Sequence, residues 1–291
     1  MILPLLLALA AVSTEAPPYH VVHPASLSRE AEQIAGSIPV VVEKLSRALN
    51  APVLPPSTLY LVSRDSTELA GEAGDAMPEW AAGVAMPWSH TVIIRADRVG
   101  SWRQRELTGV LAHETAHMLM AAAAGAGADL MPPWFREGVA SNLARDGEWL
   151  DFFYLWVSPI PSSGRPLDDL SAGFSAGASP VMTRAAYAGS YSFVRHALDV
   201  HSATLPGRVL EGLRAGLDFE AAWRAAAGMP LYEDESAWSA SIRGRTRWAA
   251  ILTSSATLWL IITLLVLLAW LIKKRRGSRV MEGWTEEDPF E

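Results

Sequence analysis

The 291-residue chain predicts an α+β fold followed by one C-terminal transmembrane helix. Three observations carry that expectation. Short strand-like segments crowd into the first hundred residues. Helical patterns follow without returning to strands, an order of α+β folds and not of doubly wound sheets. Near the C-terminus, Ala249 to Ile272 is a run of 24 residues without a charge.

Composition narrows the class. The chain is 50% hydrophobic and 19% charged, with a net charge of -7 and mean hydropathy of +0.16. That excludes a disordered chain, which needs low hydrophobicity and high charge. The absence of cysteine excludes disulfide scaffolds, thiolate metal sites and cysteine nucleophiles. The acidic balance argues against a nucleic-acid partner.

The hydrophobic excess sits at the two ends. MILPLLLALAAV, followed by STEA, reads as the apolar core and small-residue exit of a secretory signal over residues 1–16. It lacks a basic start, and cleavage after Ala10 or after Ala16 fits equally. At the other end, the uncharged run makes a helix of about 36 Å, enough for a hydrocarbon core of about 30 Å. Trp248, Trp259 and Trp270 lie along it, and Lys273, Lys274, Arg275 and Arg276 follow. Five basic residues follow the run and Arg243, Arg245 and Arg247 precede it, a bias that does not decide orientation alone. With the N-terminal signal it predicts an extracytoplasmic domain over 17–247, a single-pass span over 248–272 that meets membrane lipid, and a cytoplasmic tail over 273–291. Residues 17–247 keep 25 acidic and 19 basic side chains, a net of -6.

Within that domain, residues 19–23 predict a short strand. Ser28 to Leu49 carry Ile34, Ile38, Val41, Val42, Leu45 and Leu49 near helical spacing, interrupted by Pro39, which kinks or splits the helix. Ser57–Val62, residues 81–86 and residues 91–95 predict three more strands. Residues 103–124 then read as a helix, and Pro132-Pro133 opens another, with proline in its first turn. The segment from Pro159 to Pro180, rich in Ser, Gly, Pro and Asp, predicts a loop. A helix with Tyr187 and Tyr191 one turn apart follows Thr183. Trp80, Trp88 and Trp134 are expected to be packing residues.

The chemistry concentrates at His113-Glu114-Thr115-Ala116-His117. Histidines at i and i+4 share one helix face, so both imidazoles reach one metal ion. Glu114 is set beside the first of them, where it can take a proton from a metal-activated water. An open zinc site needs a third protein ligand. Glu137, twenty positions after His117 on the next helix, supplies it.

These residues, LAHETAHML and then PPWFREGVA, resemble the gluzincin metallopeptidases and most closely the small bacterial peptidase MA-like domains. AAGVAM, AYAGSYSFVRHAL and AAAGMPLYEDESAW add to the likeness, which spans residues 19–247. The resemblance implies a thermolysin-like zincin domain with Zn2+ on His113, His117 and Glu137, and Glu114 as general base. It implies peptide or protein substrates, an edge strand at 81–85 that pairs with them, and Tyr187 as the oxyanion donor, with Tyr191 second and His196 and His201 nearby. Ser141 stands where thermolysin-type enzymes carry an aspartate that orients the first histidine. The expectation is a membrane-anchored zinc peptidase. A non-catalytic zinc-binding envelope protein, using the same fold to hold partners, remains open beside it. So does a hydrolase of another amide or ester bond.

Overall fold

A computed structural model describes residues 11–71, 74, 81–99, 103–144, 166–175, 177–252, 259, 262–270 and 273. The chain divides into two units, Met1–Trp238 and Ser239–Glu291. The first is mixed α+β, as its sequence order predicts. Five strands form one sheet: β1 (Ala11–Ala16), β2 (Tyr19–Pro24), β3 (Ser57–Val62), β4 (Gly83–Met86) and β5 (Thr91–Arg95), in spatial order β1-β2-β3-β5-β4. The three central strands are parallel and both edge strands antiparallel to their neighbours.

Helix α1 (Ser28–Leu49) is the crossover between β2 and β3. It buries Ala31, Ile34, Ile38, Val41, Leu45 and Leu49, one stripe at helical spacing, and ends on Asn50 in the left-handed conformation. The helix runs unbroken through Pro39, so the split that the sequence allowed does not occur. The Pro39 ring lies on the exposed face, where water can satisfy the carbonyl that a proline leaves without its N–H.

The helices follow in order: α2 (Arg103–Ala124), α3 (Pro133–Ala144), α4 (Pro166–Ala172), α5 (Pro180–Val200), α6 (Leu205–Arg214), α7 (Phe219–Ala227) and α8 (Leu231–Leu252), the last crossing the division between the units. Helix α2 is central. Leu111, Ala116, Met118, Leu119 and Met120 are buried around it, and Thr115 is fully buried and shares a 3.2 Å hydrogen bond with the Tyr19 hydroxyl of β2. Trp134 of α3 starts an aromatic cluster, edge-on to Phe193 at 5.0 Å and to Phe219 at 5.5 Å, with Trp223 alongside. Such contacts add about 0.5–1.5 kcal/mol per pair to the area buried. Asp234 lies beneath, accepting from the Trp223 indole at 2.9 Å and bonded to His201 at 2.8 Å.

Two further segments carry structure that the sequence did not predict. Within the leader expected over residues 1–16, Ala11–Ala16 is strand β1, paired residue for residue from Ala11–Pro24 to Ala16–Tyr19. Six residues of regular antiparallel pairing belong to the fold, so a cut after Ala16 would remove an edge strand; residues 1–10 lie outside the described residues. The expected loop from Pro159 to Pro180 contains α4, whose Leu167 and Leu170 are buried; residues 159–165 lie outside the described residues. Leu167 N–H donates to the Glu235 carboxylate at 2.9 Å, which supplies the partner that a short helix start needs.

In the second unit, Ile262, Leu264, Leu265, Val266, Leu267, Leu268 and Trp270 are helical and exposed, as is Trp259. Among the described residues, no helix is long and apolar enough to cross a membrane. The expected span over 248–272 falls partly outside them.

Candidate metal centre and cleft

Helix geometry makes the site from two segments. His113 and His117 lie one turn apart on α2, their rings edge to face with centroids 4.8 Å apart. A turn through Gly125, at φ 56°, and Pro132-Pro133 bring the chain back as α3, which carries Glu137. Helix α3 then packs closely on α5. A Cβ at Gly138 would meet the Ser190 carbonyl oxygen and Val194 Cγ2, both at 2.6 Å, so only glycine allows that approach. Asn142 cross-links the same two helices, its amide donating to the Gly138 carbonyl at 2.8 Å and to the Tyr191 carbonyl at 3.0 Å.

The three donor atoms converge. His113 Nε2 lies 3.3 Å from Glu137 Oε2, His117 Nε2 lies 3.6 Å from it, and the two Nε2 atoms are 3.2 Å apart. Donors about 2.0–2.1 Å from a tetrahedral zinc lie about 3.3–3.4 Å from each other, so the observed triangle has the right size. Glu137 Oε2 is buried and accepts no hydrogen bond, the two imidazole contacts at 3.3 and 3.6 Å included. Three converging donors, one of them an orphaned carboxylate oxygen, fit a cation. Among the described residues, these are the three that could hold a metal ion. Burial tends to raise the Glu137 pKa, but the imidazoles of His117 and His113 outweigh it and hold the carboxyl well below the usual range.

Glu114 faces the same cleft and is 6% exposed. Burial pushes its pKa up to about 7; the Glu137 carboxylate adds to this, while His113 and the Ala85 N–H oppose it. Tyr187 of α5 also lines the cleft, beside both carboxylates. Burial, with Glu137 and Glu114 adding, holds its hydroxyl protonated well above the usual range. Of the other expected oxyanion donors, Tyr191 is not among the cleft residues, and His201 is committed to Asp234. Ser141 is buried on α3.

The cleft has a volume of about 1830 Å³ and runs between α1, α2 and strand β4. Two of its features escaped the sequence reading. Trp88 is 82% exposed at the cleft rim, where packing was expected; Trp134 is buried as expected, and Trp80 lies outside the described residues. Pro87 begins the tight turn that carries Trp88, and the His90 N–H closes it on the Pro87 carbonyl, so the indole is held outward. Gly83 is the second feature, packed directly on Glu114. A glycine inside the strand-like AAGVAM was the available signal, since such glycines often mark a close approach.

A sheet whose edge strand flanks a helix with two histidines, and a neighbouring helix with a glutamate, define a metal-binding hydrolase class. The family comparison names it: the Peptidase MA superfamily model matches residues 40–244, and the chain belongs to that family of metallopeptidases. No curated protein matches the chain.

Proposed function

We propose that the chain is a membrane-anchored, zinc-dependent peptidase of thermolysin-like, gluzincin type. The observation that carries this is the triangle of His113, His117 and Glu137, whose carboxylate corner, Oε2, is buried without a hydrogen-bond partner. Zinc held there would act as a Lewis acid on the scissile carbonyl and acidify a water.

The chain's own residues supply the rest. Glu114, with a pKa raised to about 7, is poised to accept a proton at neutral pH and return it to the leaving amine. Tyr187 stays protonated and so can donate a hydrogen bond to a developing oxyanion. Strand β4 is a sheet edge along the cleft, which suits an extended polypeptide added as a further strand. The cleft also exceeds the roughly 300–1,000 Å³ of small-molecule pockets, so a stretch of polypeptide suits it better than a small amide.

The exposed apolar run from Ile262 to Trp270 supports anchoring through residues 248–272, with the catalytic domain outside and the tail that opens on Lys273-Lys274-Arg275-Arg276 inside. Glu114→Gln should keep zinc and lose at least about a hundredfold in peptide hydrolysis. Stoichiometric zinc with unchanged hydrolysis would sink the mechanism. Stoichiometric zinc with no hydrolysis even in the native chain would favour the non-catalytic partner-binding protein.

A further inference from the structure

We propose that Gly83 is a positioning residue for Glu114: its missing side chain lets edge strand β4 close onto α2, so that the Ala85 N–H holds the Glu114 carboxylate in the cleft. A Cβ at position 83 would lie 2.6 Å from Glu114 Oε1, 2.8 Å from Glu114 Cγ and 2.8 Å from Val110 Cγ1. No carbon tolerates those distances, and two of the three obstructing atoms belong to Glu114 itself.

Backbone conformation does not account for the glycine. Among the described residues, the left-handed glycines are Gly71, Gly125, Gly216 and Gly228; Gly83 is not one of them and lies in a regular strand. Glycine weakens a strand, because it packs nothing and gives up more chain freedom on folding. Space for Glu114 is the remaining reason for it.

The pairing register supplies the second half of the device. Arg95 N–H donates to the Ala82 carbonyl at 2.8 Å, and Val84 pairs with Ile93. Main-chain groups alternate along an antiparallel edge, so those of Ala82, Val84 and Met86 face β5, while those of Gly83 and Ala85 face away from the sheet. The Ala85 N–H therefore points off the outer edge of the described sheet, into the cleft that Glu114 also lines. A glutamate side chain has several rotatable bonds. This amide, together with the wall of Gly83, leaves it few alternative placements. The strand proposed to receive substrate backbone thus also sets the position of the base. Only the kinetic part of the inference rests on the peptidase reading.

The test uses the full chain in detergent and the variants Gly83→Ala, Glu114→Ala and the double variant. Residue-resolved hydrogen–deuterium exchange on metal-free protein should show the Ala85 amide exchanging at least tenfold faster in Gly83→Ala and in Glu114→Ala. The double variant should be no faster than Glu114→Ala. Thermal melting should show that Gly83→Ala costs less in the Glu114→Ala background, where the two atoms nearest the new methyl are gone. Multiplying exchange effects and strictly additive melting shifts would overturn the proposal. If Gly83→Ala does not fold, Glu114→Ala alone remains decisive: an unchanged Ala85 exchange rate overturns the contact.

With zinc added, Gly83→Ala should lower kcat at least tenfold on an unstructured protein substrate, with KM and zinc affinity within threefold of the native chain. An equal loss through zinc affinity or KM would mark Gly83 as merely structural. A native chain that cuts nothing would sink the peptidase reading, while the exchange and melting results would still decide the contact.

Discussion

Glu114 concentrates the electrostatics of the site in one side chain. Its pKa in the folded chain is raised above the usual value of 4.5 to about 7, mainly by burial. A raised carboxyl pKa means that folding favours the protonated form. Metal-free chain therefore loses stability as pH rises from about 4.5 to about 7, and is level beyond that range. Glu114→Gln has no such proton to lose. Its melting temperature in metal-free buffer should match the native chain at pH 4 and exceed it at pH 8, a difference that thermal melts across the range would measure. Trp88 makes a second residue-scale prediction. It spends an exposed indole at the cleft rim, so Trp88→Ala should alter peptide affinity while leaving melting within about 0.5 kcal/mol, as surface substitutions do. A folding defect in that variant would show the indole to be a packing group.

At the scale of elements, the approach of α3 to α5 decides whether Tyr187 can serve the site. Gly138→Ala places a methyl against the Ser190 carbonyl and Val194, and overpacking of this kind costs about 1–3 kcal/mol. Denaturant unfolding should report that loss, and hydrolysis should fall further than stability because Glu137 is the adjacent residue. Which elements were legible follows from their physics. Strands β3 and β5 and helix α2 appear with the boundaries their sequences predict, because β-branched runs and helical patterns are local signals. Strand β1 was not legible. Its VSTEA is polar and small, as an exposed edge allows, and it adjoins an apolar run that looks like a leader. Helix α4 was hidden by Ser, Gly and Pro around it, its support coming from Glu235, far along the chain. The two histidines are legible from spacing, since i and i+4 fix one helix face, whereas Glu137 needed the following helix and the family resemblance. The contact between Gly83 and Glu114 joins two segments that only the folded sheet brings together.

For the whole molecule, the proposed anchor and the metal centre belong to different units and should separate experimentally. Full-length chain should partition with membranes, while a chain ending at Arg247 should stay in the aqueous fraction and still bind zinc; fractionation and metal analysis together check both. Retention of the shortened chain on membranes would place the anchor elsewhere. Metal removal should also lower the melting temperature of the catalytic unit. A ligand that binds only the folded state stabilises it by about 2.7 kcal/mol at a hundred times its dissociation constant, so chelation removes that increment.

Strand β4 has a consequence for how copies of the chain meet. An open sheet edge is a template for any strand, including the same strand of a neighbouring molecule, and tethering to a surface would raise the frequency of such encounters. Here the edge is only four residues long, it stops at Pro87, and the proposed contact to Glu114 would occupy one of its outward amides. Those limits leave too few free groups for a lasting sheet between molecules. They favour brief occupation by a passing chain, so the substrate pairing proposed for β4 and protection from self-association would come from the same short edge.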